Sequence, residues 1–232
     1  MQISVSCGIT GFENPTLPFR QELISLTQLF VHSPASSRIV VCPERYADLG
    51  IEKGDWLLVD ASLTPSMTDL VLVSCIDDLS VVSWSVSRQH FSKWEDDAVL
   101  VGVVTLSIHH FRPPSRLPDH ESLSDLDLHS LLVTQEYSTL FLRADGCSML
   151  PFVHNGDILI LERHLDVAEH DAVVLALNHD LVMKRVDRSR SMLYSDNPKY
   201  PPYIVGESDY LRLHGVVSRS MRLHRNFGFR SD

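Results

Sequence analysis

The chain is short of positive charge. Its 20 Lys and Arg stand against 30 Asp and Glu, a formal net charge of -10. Non-specific DNA affinity comes from clustered cations that displace counterions from phosphates, so bulk phosphate binding is disfavoured, although a local basic patch is not excluded. No apolar run reaches the roughly 18 residues that a membrane span needs, and no basic segment followed by an apolar one opens the sequence. The expectation is a cytoplasmic protein with no membrane contact. The four cysteines (Cys7, Cys42, Cys75 and Cys147) have neither CxxC spacing nor a paired pattern, which fits a reduced compartment. GxGxxG, Walker A, GxSxG and HExxH are all missing. His109, His110, His164, His170, His179 and His214 follow no Cys/His finger spacing, so they read as surface or loop residues, and neither metal nor cofactor is expected.

What is present is a β pattern. At 232 residues and 44% hydrophobic composition the chain suits one or two globular domains. Residues 1–18 are broken by Gly8, Gly11, Asn14, Pro15 and Pro18 and read as an extended tail. Phe19–Phe30 carries apolar residues near a 3.6 period, enough for one or two helical turns. Strands are then expected near Arg38–Cys42, Trp56–Asp60, Leu70–Cys75, Leu79–Ser85 and Val99–Ile108. The run from His109 to Asp127, with Pro113, Pro114 and Pro118, reads as an exposed linker. Strands resume near Leu140–Ala144, Ile158–Glu162, Ala172–Leu177, Leu181–Val186 and Leu211–Arg222, and the last residues, 226–232, are expected to fray.

The two β-rich halves resemble each other. Gly54-Asp55 and Gly156-Asp157 are 102 residues apart, as are Leu26 and Leu128, Leu29 and Leu131, Ser36 and Ser138, Asp69 and Asp171, and Val71 and Val173. Gly102-Val103-Val104 matches Gly215-Val216-Val217 at 113. The 11 extra residues fall around Asp196–Pro202. A constant offset over this length reads as a duplication.

One pair of residues separates the halves. Ser148 follows Gly146, and Lys184 stands in the apolar run Leu181–Val186. At offset 102 their counterparts are Tyr46 (Arg45 if one residue is gapped) and Val82. A serine hydroxyl is a poor nucleophile until a base takes its proton, and a lysine serves as that base only when neutral. Burial among apolar side chains lowers the lysine pKa toward that state. A glycine turn exposes backbone N–H groups to a developing oxyanion, which makes Gly146 and Met149 candidates for that role. Taken singly, a Ser after Gly is usually a turn residue and a strand Lys beside Arg185 an edge charge. The half that loses both while keeping their framework favours the chemical reading.

These motifs carry a family resemblance. Gly146-Cys147-Ser148-Met149, Asn155-Gly156-Asp157-Ile158-Leu159-Ile160, Asp171-Ala172-Val173-Val174, Val182-Met183-Lys184-Arg185-Val186, Asp196-Asn197-Pro198-Lys199-Tyr200 and Leu213-His214-Gly215-Val216-Val217 together resemble the C-terminal domain of the LexA and UmuD Ser/Lys autopeptidases (peptidase S24). The resemblance covers about residues 118–225. Cys147 departs from the small or acidic residue usual at its position. Gly11-Phe12-Glu13-Asn14-Pro15 and Ile24–Leu29 resemble the linker and the start of the domain of UmuD, and Gly50–Asp55 with Leu57–Asp60 resemble its post-nucleophile strand.

The resemblance implies a mainly β fold, two tandem LexA/UmuD C-terminal-like domains of β-clip type with a few short helices. The division is a tail at 1–18, a degenerate UmuD-like domain at 19–110, a linker at 111–127, a Ser/Lys peptidase domain at 128–225 and a tail at 226–232. The two domains form a pseudo-dimer in one chain. Ser148 is implied as nucleophile and Lys184 as general base. Self-cleavage is implied at Cys7-Gly8 or, if Gly11-Phe12 sets the alignment, at Thr10-Gly11. The implied setting is SOS mutagenesis, with a Y-family (UmuC-like) polymerase subunit and a RecA filament as partners. Residues 1–18 are too short and broken for a helix-turn-helix, so direct sequence-specific DNA binding is not expected. The alternative is a non-catalytic polymerase- or RecA-binding module with a vestigial dyad. A signal-peptidase-like membrane protease would need an apolar span that the sequence lacks.

Overall fold

The computed structural model describes residues 25–75, 78–91, 98–113 and 127–225. Its elements run α1 (Leu26–Phe30), β1 (Ser37–Val41), β2 (Trp56–Asp60), β3 (Leu70–Cys75), β4 (Asp78–Ser83), α2 (Trp84–Phe91) and β5 (Ala98–His110) in the first half. The second half has α3 (Leu128–Leu132), β6 (Thr139–Arg143), β7 (Ile158–Glu162), β8 (Ala172–Leu177), β9 (Asp180–Asp187), β10 (Met192–Tyr194), β11 (Tyr203–Ile204) and β12 (Leu211–Leu223). The expected mainly β architecture is borne out, and every strand pairing is antiparallel.

Each half is built on one long strand. β5 pairs with β2 and β3, while β1 extends from β2 and β4 from β3. β12 pairs likewise with β7 and β8, flanked by β6 and β9. The two partners lie on opposite edges, since Val103 and Val104 of β5 pair with both β2 and β3 and Val216 of β12 pairs with both β7 and β8, and each long strand carries its bulges at matching places. β5 is irregular opposite Leu58/Val59 and Leu72/Val73, and β12 at Val217/Arg219 and Leu213/Gly215. A Cβ on Gly102 would lie 2.8 Å from the Asp60 carbonyl oxygen, and one on Gly215 would lie 2.9 Å from that of Glu162. Glycine is required at both crossings because the backbones nearly touch there.

Alternation along the central strands places the cores. In β2, Trp56 and Leu58 face a cluster shared by both halves, while Leu57 and Val59 face a separate one with Cys42, Ile51 and Leu72. In β7, Ile158 and Ile160 face the shared cluster, and Leu159 and Leu161 face Met149, Val153 and Val174. Burial on both sides explains the unbroken apolar sequences of β2 and β7. The shared core is completed by Leu26 and Phe30 of α1 and Leu128 and Leu132 of α3, each pair spaced four apart on one helix face. The Asp127 carboxylate caps α3 at the His129 N–H, 2.9 Å away, and also accepts from the Thr27 hydroxyl of α1.

The halves join through β5 and β12, which pair from Leu106↔Leu223 to His110↔Arg219. Arg112 reaches from the end of β5 to Asp171, and Arg225 reaches from the end of β12 to Asp69, 3.1 Å away. These two aspartates also accept from backbone N–H groups three residues earlier, at Ala168 and Ser66.

Two expectations need correction. The strand expected over Leu79–Ser85 stops at Ser83, because Trp84 and Ser85 open α2. The Trp84 N–H bonds to the Asp69 carbonyl, and the Ser87 hydroxyl bonds back to Ser83 O, so the ladder is replaced by a helical turn. The linker does not begin at His109, since His109 and His110 are the last residues of β5, paired with Ser220 and Arg219. Short β10 and β11 had no period of their own to announce them. The segment 19–24, residues 114–126 and both chain ends, with Cys7-Gly8 and Thr10-Gly11, lie outside the described residues. Among the described residues no helix is long and apolar enough to cross a membrane.

Candidate active site

The serine sits on a turn held open by its own backbone. After β6 the chain bonds to the turn preceding β7: Ala144 N–H donates to Asp157 O at 2.8 Å and Gly156 N–H to Ala144 O at 2.9 Å. Gly146 then takes φ 99°, a left-handed conformation that an L side chain resists, and this swings the chain into Cys147–Leu150. Its amide donates to Asn155 Oδ1 at 3.3 Å. Of the two oxyanion candidates, the Gly146 N–H is thus already directed at Asn155. Met149 is buried against Val153, Leu159 and Val174 and anchors the turn to the core below.

The lysine comes from β9. Val182 and Val186 pack with Val173, Leu175 and Leu193. Lys184 is half-buried, and its ammonium donates to the Ser195 hydroxyl at 2.7 Å and lies 5.7 Å from the centre of the Tyr200 ring. Burial lowers the Lys184 pKa from its ordinary value, the direction that a general base requires. Ser148 and Lys184 line one cleft of about 170 Å³, with Leu142, Gly146, Met149, Val153, Leu181 and Met183 around them. Among the described residues the hydrogen bond that Lys184 makes is to Ser195 and not to Ser148. In unliganded sites such contacts are commonly long until substrate binds.

The segment after β10 closes over both. Asn197 Nδ2 donates to Cys147 O at 2.8 Å and Asn197 N–H to Ser148 O at 3.0 Å, so one residue grips two consecutive carbonyls of the serine turn. Tyr200 OH meets Cys147 Sγ at 3.0 Å. Arg185, next to the lysine, bonds to Asp196 and lies over the rings of Phe111 and Phe152. Ser195 and Asn197 escaped the sequence reading as site residues. Their signal was the 11-residue excess of the second half, which marked Asp196–Pro202 as an insertion without assigning it a task.

The first half fills the corresponding place with a side chain. Tyr46 stands five residues beyond β1, as Ser148 stands five beyond β6. Equal spacing to β2 and β7 makes Tyr46, rather than Arg45, the residue at that position. Its ring packs against the Cys42–Leu72 cluster, and its hydroxyl accepts from Val81 N–H at 2.9 Å. Val82, fifth in β4 as Lys184 is fifth in β9, packs with Val71, Val73 and Val103.

A turn serine and a strand lysine thus line one cleft of a β-rich fold. The Peptidase S24-like family matches residues 114–218. Protein MucA of Salmonella typhimurium is 31% identical over 114 residues, 48% of this chain and 77% of MucA. Protein SamA of Salmonella typhimurium strain LT2 is 29% identical over 107 residues, 45% of this chain and 74% of SamA. Protein ImpA of Escherichia coli is 34% identical over 91 residues, 38% of this chain and 62% of ImpA. The chain belongs to the Peptidase S24-like family.

Proposed function

We propose that the chain is a UmuD-like Ser/Lys self-cleaving peptidase made of two such domains in tandem, an intramolecular pseudo-dimer whose first domain (19–110) is degenerate and whose second (128–225) is active. The observation that carries this reading is the shared cleft of Ser148 and Lys184 in the second half, against Tyr46 and Val82 at the same positions of the first. Neutral Lys184 takes the Ser148 Oγ proton as Oγ attacks the scissile carbonyl. The resulting oxyanion is stabilised by backbone N–H groups of the serine turn beyond Gly146, with that of Met149 as the remaining candidate. Collapse breaks the C–N bond, and the Lys184 ammonium gives its proton to the leaving amine. A water then loses a proton to Lys184, hydrolyses the acyl-serine ester and restores Ser148.

The substrate bond in this reading is Cys7-Gly8 or Thr10-Gly11 of the same chain. Placing it in one polypeptide with the site replaces a bimolecular encounter by an effective concentration. The family resemblance supports a role in SOS mutagenesis in the cytoplasm, alongside a Y-family polymerase subunit, with a RecA filament as activator. The test is intact mass before and after incubation with RecA filaments. The parent loses its first seven or ten residues, whereas Ser148→Ala keeps its full length. A parent that remains intact with RecA and at pH 10 favours the second reading, a binding module with a vestigial dyad, for which the bonding of Lys184 to Ser195 rather than Ser148 is the supporting observation.

A further inference from the structure

The segment Ser195–Tyr200, at the start of the 11-residue excess of the second half, brings three side chains onto the two groups that the first half replaces by Tyr46 and Val82. Ser195 meets the amine of Lys184 at 2.7 Å, Asn197 holds the carbonyls of Cys147 and Ser148, and Tyr200 lies over the amine and against Cys147. Among the described residues of the first half β4 passes directly into α2, and β10, β11 and the loop between them have no counterpart. Among the described residues, this loop, the serine and the lysine occur together in the second half, where the first has α2, Tyr46 and Val82.

We propose that Ser195 is a positioning residue for Lys184, fixing its amine so that the lone pair faces Ser148. This rests on the reading of Lys184 as general base. An amine has three N–H directions when charged and one lone pair when neutral, and on a flexible four-carbon stem that lone pair has no preferred aim. A neutral hydroxyl that accepts one N–H restricts its rotation. A carboxylate in the same place would also restrict it, but would hold the amine in its charged, non-basic form. Ser195 supplies the restraint without that charge. It is itself fixed, since it directly follows β10, where Tyr194 pairs with Arg185 beside the lysine.

The contact makes two separable predictions. The hydroxyl accepts more strongly from the charged amine than from the neutral one, so its removal lowers the lysine pKa while spoiling the aim. Self-cleavage of the full chain followed by intact mass from pH 7 to 11 tests both. Ser195→Ala is expected to lose 10- to 100-fold of the plateau rate, with its pH midpoint moved to lower pH, and Ser195→Thr is expected to recover most of the rate. A residue with only a structural role would change the folded fraction and leave the midpoint in place. The Lys184 amine is also titrated by NMR in a Ser148→Ala background, with and without Ser195→Ala, so the contact is read even in a chain that cannot cleave. A parental rate and midpoint in Ser195→Ala overturn the proposal, and so does an unmoved Lys184 titration. If Lys184→Ala still cleaves at the parental rate, the general-base reading fails instead, and the proposal fails with it. If neither parent nor variant cleaves but the titration moves, the contact stands and the peptidase reading fails.

Discussion

Ile108 and Met221 face each other across the join of the two halves, and each is the eleventh residue of its own 13-residue strand. The pairing around them is therefore the same read from either strand, as at an isologous interface between identical subunits. Both side chains are fully buried in the shared core with Trp56, Leu58 and Ile160. Met221→Ala should cost about 2–5 kcal/mol, the range for deleting a large buried apolar side chain. Because the core belongs to both halves, the loss should appear as one cooperative unfolding transition at lower denaturant. Two separated transitions, with the first half unaffected, would show that the halves fold independently.

The symmetry is broken at the next inward-facing pair. His110 and Arg219 oppose each other, while Leu106 and Leu223 occupy the reciprocal positions. His110 lies 4.4 Å from the Trp56 ring centre, with both ring nitrogens buried and no hydrogen-bond partner recorded for either among the described residues. Burial first, then the charge of Arg219, pushes its pKa down to about 3. The folded value is below that of the unfolded chain, so unfolding takes up a proton between pH 6.5 and about 3. Stability is complete above that window and falls as pH is lowered through it, with a slope of up to about 1.4 kcal/mol per pH unit for one proton. His224, buried and pushed down to about 4, adds in the same direction. His110→Leu, which copies Leu223, should flatten urea-derived stability between pH 4 and 6.5. An unchanged slope would mean that His110 is not the group titrating.

How far the sequence disclosed this arrangement depended on the kind of signal. β2, β3, β7 and β8 have the bounds expected from their apolar runs, because strands buried on both faces leave little ambiguity about where they end. The constant 102-residue offset likewise anticipated the matching element bounds. The first two residues of α2 read as the end of a strand because Trp84 is aromatic and its neighbours are serines and valine, which do not favour a helix. Its start depends on a tertiary bond to Asp69. Ser148 and Lys184 stand out in the sequence against Tyr46 and Val82 at the matching positions, and in the structure both line one cleft. Ser195 and Asn197 do not stand out, since a serine and an asparagine in a loop have no period, and their contacts are with residues distant in sequence.

Asn197 provides a test of how tightly the serine turn must be held. It is buried, its amide bonds to Cys147 O, and its Oδ1 accepts from Lys199 N–H at 3.1 Å. Asn197→Ala should cost about 1–3 kcal/mol of stability through the unpaired carbonyl and amide. It should also slow self-cleavage by more than the lost folded fraction explains, because the turn loses its side-chain clamp. Melting temperature and cleavage rate measured on the same preparation separate the two effects. A rate that falls only in step with the folded fraction would confine Asn197 to a structural role.

The pH dependence of cleavage bears most directly on the lysine. Lys184 has its pKa lowered from 10.5 by burial in the cleft. Only the neutral amine can accept the Ser148 proton, so the rate should rise as pH increases and level off once the amine is deprotonated. The midpoint should fall below 10.5. Below the midpoint each unit of pH should change the rate about tenfold, as for a single deprotonation. Lys184→Arg keeps a cation but has no accessible neutral form, so it should be inactive across the whole range while remaining folded. A pH-independent rate, or a Lys184→Arg chain that cleaves in alkali, would remove Lys184 from the role of base and leave Ser148 needing another proton acceptor.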